Sequence, residues 1–295
     1  MPTAYGLPGS LTAYLPDPTE PVDRWFQARN ASNVRTTVRI VRDLCPDADL
    51  LVDPLAGGGS SACAARLLGL PFFGVELDPV LACVCAAKST ATASHARALV
   101  RGEEAGAEPP VSLLSVALRL SACSDRPTSA TDALHDLESG YPAPADASVF
   151  WADAAAPAVW RELEGQAGRA KHAVLYTSPP FGLSSPRPEV SEELQADAVS
   201  ALRSAGLDLA HGGPGEFASY AKIATSAVVN AVRGLGRATV ILEHEPNDDG
   251  FDAREATGRL LADALGARMQ RLRFLECGSY SRRGLFSLIV CEVRP

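Results

Sequence analysis

The sequence lacks any long hydrophobic run. Although 46% of its 295 residues are hydrophobic, no uninterrupted apolar stretch reaches the length of about 18–20 residues that a membrane-spanning helix needs. Residues 1–6 also lack the basic segment followed by an apolar one that marks a secretory signal. We therefore expect a cytoplasmic protein without a membrane partner. A chain of this length and composition can bury one large core, with or without a small subdomain.

Positive charge is also scarce. The chain has 27 lysines and arginines against 35 aspartates and glutamates, which gives a net charge of −8. A protein that binds duplex DNA tightly neutralises several phosphates and usually carries a basic surface. The overall charge therefore provides no general attraction to nucleic acid, although local basic patches remain compatible with it.

The pattern of a metal site or a disulfide framework is missing as well. The 7 cysteines are an odd number scattered over apolar segments, and Cys83 and Cys85 are the only close pair. A zinc site of the common type needs a second pair or suitably spaced histidines, and the 5 histidines show no such spacing. We expect reduced, buried thiols and no bound metal.

What the sequence does contain is a glycine-rich loop between a predicted strand and a predicted helix. The strand 49–53 ends at Asp53, and three consecutive glycines, 57–59, precede a helix of small residues that ends at Gly69. Glycine allows the backbone to approach a ligand closely and to adopt conformations that other residues avoid. The free N–H groups at the start of the helix point into the same space. The pattern predicts a small-molecule site at this loop.

A second strand, 72–77, ends near an acidic residue. Glu76 lies about twenty residues after Gly57, the spacing at which a carboxylate binds ribose hydroxyls. Gly57, Gly59 and Ala62 also satisfy the dinucleotide fingerprint G-x-G-x-x-G/A, so a nicotinamide or flavin enzyme is one interpretation. Asp53 argues against it, because a carboxylate beside the loop would repel a pyrophosphate and would favour the ammonium and sulfonium groups of S-adenosylmethionine. Asp53 could instead serve only as a helix-dipole partner.

A third motif follows the apolar run 173–176, which predicts a buried strand. Its sequence is Thr-Ser-Pro-Pro-Phe, residues 177–181. Two prolines end the strand ladder and leave the carbonyls of Ser178 and Pro179 without regular partners. These acceptors, beside the ring of Phe181, suit a planar amino group. The alternative interpretation is a proline turn without a catalytic role.

Together these motifs resemble those of the amino-methylating DNA methyltransferases. The loop D-P-L-A-G-G-G-S-S is similar to their D-P-F-A-G-S-G-T-T, the segment G-V-E-L-D-P to their second cofactor motif, and T-S-P-P-F to their catalytic [D/N/S]-P-P-[Y/F/W]. The resemblance covers roughly residues 22–89 and 145–293. It departs at Leu55, Gly58 and Phe181, where the family usually has Phe, Ser and Tyr.

The resemblance implies S-adenosylmethionine as the cofactor and a catalytic role for the S-P-P-F residues. Ser178 and the Pro179 carbonyl would hold the target amino group, and Phe181, after Pro180, would stack on its ring. A serine in the first position resembles the cytosine-N4 enzymes slightly more than the adenine-N6 enzymes. Asp153, at the end of a third strand, would accept from the adenine amino group, or would only cap the following helix. The implied cofactor-binding residues are Asp53, Pro54, Ala56, Gly57, Gly59, Ser60, Glu76, Leu77 and Asp153.

The predicted fold is α/β, a Rossmann-like class I methyltransferase with a mostly parallel seven-stranded sheet and a C-terminal antiparallel hairpin. We expect one domain, 1–295, with helical segments inserted at 101–147 and 182–214 as a cap or as substrate-recognition elements. Predicted strands are 49–53, 72–77, 148–151, 173–176, 238–242, 271–276 and 285–293. Predicted helices are 23–45, 60–69, 79–100, 111–123, 154–164, 189–205, 216–233 and 252–265.

The predicted reaction is direct methyl transfer to an amino or amide nitrogen, with no covalent cysteine step. The resemblance implies a nucleobase in DNA as the methyl acceptor. The acidic charge instead favours a peptide, a natural-product intermediate or another small molecule, and RNA is a further alternative. His244, at the end of the fifth strand, could contact this substrate or lie at the surface. A regulatory protein that binds the cofactor without catalysis is the interpretation outside enzymes, and the oligomeric state stays open.

Overall fold

The structure is a computed structural model that describes residues 3–4, 17–26, 32–104, 107–123, 127–167, 170–178, 190–209, 220–244, 254–281 and 284–294. Within these ranges the strands are β1 (Thr3–Ala4), β2 (Leu50–Asp53), β3 (Phe72–Glu76), β4 (Ala147–Trp151), β5 (Ala173–Thr177), β6 (Ala238–His244), β7 (Met269–Ser281) and β8 (Gly284–Val293). The helices are α1 (Val34–Leu44), α2 (Ser60–Leu68), α3 (Pro79–Thr90), α4 (Ala93–Val100), α5 (Pro109–Ser121), α6 (Ala130–Glu138), α7 (Pro157–Ala167), α8 (Glu192–Ser204), α9 (Tyr220–Arg233) and α10 (Arg254–Leu265). None of these helices is long and apolar enough to cross a bilayer.

The strands form one mixed sheet in the order β1-β7-β8-β6-β5-β2-β3-β4. Strands β2 to β6 run parallel to one another, and β8 pairs antiparallel with both β6 and β7. The predicted Rossmann-like α/β fold, with a mostly parallel seven-stranded sheet and a C-terminal antiparallel hairpin, is confirmed. The two-residue strand β1 adds to its edge beside β7.

Helices cover both faces of the sheet, as a parallel sheet with apolar strands requires. One apolar cluster joins one face of the sheet to α1, α2, α3, α5 and α8. A second cluster joins the opposite face to α7, α9 and α10. Strands β2 and β5 are buried along their whole length between these layers, so the polar residues at their ends are held by a rigid core.

The chain between β3 and β4 breaks once where a continuous helix was predicted. The predicted helix 79–100 is two helices, α3 and α4, separated at Ala91 and Thr92. The guanidinium group of Arg66 donates hydrogen bonds to the carbonyls of Lys88 (2.8 Å) and Ala91 (3.1 Å). It thereby satisfies carbonyl groups at the end of α3. The first helix ends here because a side chain from α2 caps it.

Only one helix was predicted within 101–147, whereas the described residues of this segment form two, α5 and α6. Helix α6 begins with a capping box, in which the Ser129 hydroxyl accepts from the N–H of Asp132 (3.1 Å) and the Asp132 carboxylate accepts from the N–H of Ser129 (3.0 Å). Ala133 and Leu137 bury its apolar side. The short S-x-x-D pattern was the available sequence signal for this helix.

The C-terminal hairpin extends further than predicted. Strand β7 reaches Ser281 and β8 begins at Gly284, so most of the segment 277–284, predicted as a connection, is strand. All seven cysteines are free thiols, and six of them are buried as expected. Cys123 is the exception, because it follows α5 at the surface.

Candidate functional site

The predicted motifs meet at one edge of the sheet, where the parallel strands end. From β2 the chain runs outward to β3 and β4, and it resumes at β5 on the other side of β2. Sheets of this kind bind ligands outside the strand carboxyl ends, at the point where the strand order reverses. Asp53 ends β2, Glu76 ends β3 and Thr177 ends β5. Three segments that are distant in sequence therefore contribute to one site.

Asp53 is a buried carboxylate at the start of the glycine loop. Only 4% of its surface is exposed, and its Oδ1 accepts a hydrogen bond from the N–H of Leu55 at 3.0 Å. Burial raises the pKa of Asp53 to about 6, an effect that the hydroxyls of Ser61 and Thr177 partly offset. A carboxylate whose charge is poorly solvated favours a cationic ligand over an anionic one.

Glu76 connects the second strand to the loop. Its Oε2 accepts from the N–H of Gly57 (2.8 Å), and its Oε1 accepts from the N–H of Asp78 (2.8 Å). Its pKa is raised to about 7, chiefly by burial and also by the negative charges of Asp78 and Asp53, whereas the two N–H donors oppose the shift. The site is therefore acidic, because three carboxylates lie close enough to influence one another.

Two loop glycines adopt the left-handed conformation, for different reasons. Gly59 has φ 87°, and a Cβ atom built there would lie 2.9 Å from the Cα of Cys85 on α3. Gly57 has φ 52°, yet nothing lies within 4 Å of the corresponding Cβ position. Gly59 thus permits the close packing of α2 on α3, whereas Gly57 leaves the loop open to a ligand. No side chain caps the start of α2 after Gly59.

A buried ion pair lies beneath the start of α2. Lys88 donates to Asp23 Oδ1 at 2.9 Å, and both side chains are about 1% exposed. Lys88 also donates to the carbonyl of Phe26 (2.7 Å), and Ser60 donates to Asp23 (3.1 Å). The side chain of Ser60, a predicted cofactor ligand, is thus turned towards this pair. The contact ties the N-terminal segment to the glycine loop.

Leu77 and Trp151 form an apolar surface next to Glu76. Leu77 exposes 37% of its surface, one of the few large hydrophobic side chains to do so. The Nε1 of Trp151 donates to the carbonyl of Leu77 at 3.0 Å, and the Arg203 guanidinium lies 6.0 Å from the Trp151 ring centroid. The exposed Leu77 side chain, with the partly exposed indole of Trp151 nearby, suits an aromatic ring.

Two further predicted cofactor residues, Ala56 and Asp153, make local backbone hydrogen bonds after β2 and β4. Ala56 follows the turn at Asp53 and Pro54. Its N–H donates to the carbonyl of Val75, on the neighbouring strand β3, at 2.9 Å. The carboxylate of Asp153 accepts from the N–H of Ala155 at 2.8 Å, two residues ahead of α7. Its side chain therefore closes a local turn, while the partly exposed carboxyl group lies past the end of β4.

Ser178 is the only S-P-P-F residue within the described part of the chain; Pro179, Pro180 and Phe181 lie outside it. Ser178 is half-buried directly after β5, and its hydroxyl hydrogen-bonds the carboxylate of Glu243. Thr177 pairs with Leu242 in the β5–β6 register, so Ser178 and Glu243 are the next neighbours along the two strands. The predicted catalytic serine thus lies one strand away from Asp53.

Glu243 and Trp151 were not predicted as site residues. Glu243 is 1% exposed and contacts three hydroxyl groups, from Ser32, Tyr176 and Ser178. Its sequence signal was an acidic residue directly after an apolar strand, the same signal that identified Asp53. Trp151 carried no signal beyond strand propensity, because its contact with Leu77 depends on the pairing of β3 with β4.

His244 was expected to contact substrate or to lie at the surface, but it is 2% exposed and pairs with Ser287 across the β6–β8 ladder. Neighbouring strand residues point to opposite faces, so His244 and Glu243 have different surroundings. The surface alternative for His244 is therefore wrong.

No known protein family and no curated protein matches the chain. Among solved structures it is similar to a magnesium protoporphyrin IX methyltransferase from Synechocystis PCC 6803 with bound SAM, at 10% identity and a TM-score of 0.38, over 89% of this chain and 79% of that one. It is also similar to an rRNA methylase from Streptococcus thermophilus, at 9% identity and a TM-score of 0.38, over 89% of this chain and 97% of that one.

Proposed function

We propose that this protein is an S-adenosylmethionine-dependent N-methyltransferase that acts on an exocyclic amino or amide nitrogen. The observation that carries the proposal is the meeting of the acidic glycine loop with Ser178 at the ends of adjacent strands. The loop contributes Asp53 and Glu76, two carboxyl groups with raised pKa values. Ser178 contributes an acceptor beside them.

The two carboxyl groups of the loop, from Asp53 and Glu76, fit S-adenosylmethionine better than a dinucleotide. Burying an additional anion next to Asp53 and Glu76 would be unfavourable, because like charges raise one another's pKa. A sulfonium and an ammonium group would instead stabilise the ionised forms of both carboxyls. Glu76 would accept from ribose hydroxyls, and the surface of Leu77 and Trp151 would cover the adenine.

When bound, the cofactor supplies the methyl group: the acceptor nitrogen forms the new N–C bond, the C–S electrons stay on sulfur, and the nitrogen releases one proton to water. The protein's own contribution is orientation and charge stabilisation. The Ser178 hydroxyl and the Pro179 carbonyl would each accept a hydrogen bond from one N–H of the target nitrogen. This arrangement favours the pyramidal nitrogen, whose lone pair is free to react.

For the methyl acceptor we propose a nucleobase, on the resemblance of the S-P-P-F motif to amino-methylating DNA enzymes. Its target base would have to leave the duplex or be single-stranded. A small molecule or peptide is the second candidate. The observation that favours it is that Arg101, Arg119 and Arg203, within the predicted inserts, already pair with carboxylates.

Isothermal calorimetry with S-adenosylmethionine, S-adenosylhomocysteine, NAD and FAD tests the cofactor. We expect micromolar binding of the first two only. Asp53→Ala and Glu76→Ala should each weaken that binding by about 1–3 kcal/mol, the free energy of a charged hydrogen bond. Glu255→Ala is the matched control, because it removes the same charge from an exposed position on α10. Tight NAD binding without binding of the methyl donor would refute the proposal.

Transfer of a tritium-labelled methyl group then tests the acceptor. The probes are amplified unmethylated duplex DNA, the same DNA after heat denaturation, transcribed RNA, and the peptide and small-molecule fractions of a cell extract. Label in either DNA probe supports the nucleobase proposal. Label only in the small-molecule or peptide fraction would support the second candidate. Cofactor binding without label in any probe would support the regulatory interpretation.

A further inference from the structure

Beside Ser178, the structure contains a buried carboxylate for which the proposed reaction has no assigned use. Glu243 is the penultimate residue of β6, one position before His244, and is 1% exposed. The Ser32 hydroxyl donates to its Oε2 at 2.6 Å, the Tyr176 phenol donates to its Oε1, and Ser178 makes the third hydrogen bond. Tyr176 is itself 1% exposed, so this group of four side chains is closely packed.

An ionised carboxylate has acceptors only, whereas a serine hydroxyl has one proton and two lone pairs. A hydroxyl that donates its single proton to a carboxylate can only accept hydrogen bonds from its other neighbours. A serine without such a partner could equally well donate to a substrate. The direction of the Ser178 hydrogen bond therefore decides what the site can recognise.

We propose that Glu243 is a positioning residue that fixes the hydroxyl of Ser178 as a hydrogen-bond acceptor for the N–H of the methyl acceptor. This inference rests on the proposed function and deepens it. It also predicts a substrate preference: the site takes a group that donates a hydrogen bond at this point, an amino or primary amide N–H. A carbonyl or ring nitrogen, which could only accept, is excluded.

The other members of the group lower the cost of a negative charge on Glu243 inside the protein. Burial raises the pKa of Glu243, and the hydrogen bonds from Ser32, Tyr176 and Ser178 oppose that shift. With three hydroxyl donors, the ionised carboxylate gives each of them an acceptor. Ser32 comes from the segment before α1, so the N-terminal part of the chain helps to hold the carboxylate beside β5.

The direct test is neutron diffraction from deuterium-exchanged crystals of the full-length protein at pH 8. We expect the deuterium of Ser178 to lie on the line to Glu243, and no deuterium on the Glu243 carboxyl group. A Ser178 deuterium that points away from Glu243, or a protonated Glu243 that donates to Ser178, would overturn the inference. This arm does not depend on a known acceptor, so it is decisive even when the labelling screen fails.

The kinetic test uses whichever probe accepts the labelled methyl group in the labelling experiment: DNA, RNA or an extract fraction. Glu243→Gln keeps the shape but can donate to Ser178, and we expect kcat to fall about ten- to hundred-fold while the Kd for S-adenosylmethionine changes less than about twofold. In a Ser178→Ala background the same substitution should have no further effect on kcat, because Glu243 acts through Ser178. Additive losses would contradict the inference.

Glu255→Gln is the matched control. It makes the same substitution at an exposed position on α10, and we expect kcat to stay within about twofold of the wild-type value. If Glu255→Gln lowers kcat as much as Glu243→Gln does, the loss is not specific to the contact with Ser178. If Glu243→Gln unfolds the protein, circular dichroism reveals it, and the neutron result for the wild-type protein decides the question.

Discussion

Asp53, Glu76 and Glu243 are acidic residues at the ends of three strands, in surroundings that disfavour their charge. Burial raises the pKa of all three. Carboxyls perturbed by burial at a strand-end site are typical of ligand or catalytic positions. In the unliganded protein these groups make a stability contribution that is complete at low pH. It is lost as the pH rises through about 6 for Asp53 and about 7 for Glu76, since the folded state binds their protons more tightly.

The same pKa values predict a pH-dependent cofactor affinity. S-adenosylmethionine should bind the ionised forms of Asp53 and Glu76, so affinity should rise from pH 5.5 to 8. The change should be about tenfold per pH unit between the two pKa values and steeper below pH 6, where both carboxyls are protonated. Binding near pH 6.5 should release protons, which calorimetry in two buffers of different ionisation enthalpy measures. Glu76→Gln should remove the component near pH 7. An affinity that is constant over this range would contradict the assignment.

Ser178 and Phe181 should affect turnover more than cofactor binding. Ser178→Ala removes an acceptor of the target nitrogen, and Phe181→Ala removes the predicted stacking surface. We expect kcat for labelled methyl transfer to fall about 10²-fold or more, with the Kd for S-adenosylmethionine nearly unchanged. Asp53→Ala should show the opposite balance and serves as the comparison. Wild-type rates in both Ser178→Ala and Phe181→Ala would identify the S-P-P-F segment as a simple turn.

Individual residues differ in how far the sequence could predict them. Asp53 and Glu76 were predictable because they follow short apolar strands in recognisable motifs. The role of Glu243 was not, because its partner Ser32 lies 211 residues away in sequence. Its neighbour His244 was the residue predicted to contact substrate or to lie at the surface, yet strand alternation places it on the face opposite to Glu243.

At the scale of elements, the glycine loop and α2 depend on the contact between Gly59 and α3. Gly59→Ala would place a Cβ 2.9 Å from the Cα atom of Cys85, so α2 and α3 would have to move apart. We expect a loss of more than about 2 kcal/mol in the free energy of unfolding, measured with urea. Gly57→Ala, in the same loop and also at positive φ, should cost only about 1 kcal/mol, because its Cβ meets no atom. Equal losses would mean that conformation alone, and not packing, determines the requirement.

Strands and local helices were more predictable than the points where helices stop. Alternation of apolar strands with helices predicted the parallel sheet and its C-terminal hairpin. The break between α3 and α4 depends on Arg66, whose guanidinium group reaches carbonyls 22 and 25 residues away. Hydrophobic periodicity along the chain cannot predict a helix end that is capped by a side chain from another helix. The β7–β8 hairpin was underestimated because its outer residues are polar, although the ladder continues through them.

At the scale of the whole molecule, charge bears on the choice between the two candidate methyl acceptors, a nucleobase and a small molecule or peptide. The net charge is −8. Three arginines within the predicted inserts are engaged in surface ion pairs: Arg101 with Glu103, Arg119 with Asp197 and Arg203 with Asp208. An ion pair at the surface contributes little to stability, but phosphate binding would have to displace the carboxylate. The described parts of the inserts therefore offer no ready phosphate track.

We accordingly expect weak binding to a non-cognate 30-base-pair duplex at physiological salt, measured by gel shift or fluorescence anisotropy. The slope of log Kd against log salt should be shallow, equivalent to about two phosphate contacts or fewer, because each neutralised phosphate adds about 0.9 to that slope. Replacing Asp197 and Asp208 by Asn frees Arg119 and Arg203 and should steepen the slope if these arginines face the duplex. Submicromolar, sequence-dependent duplex binding by the wild-type protein at 150 mM salt would contradict this expectation. Such a result would support DNA as the acceptor, since a base-specific contact would then outweigh the unfavourable overall charge.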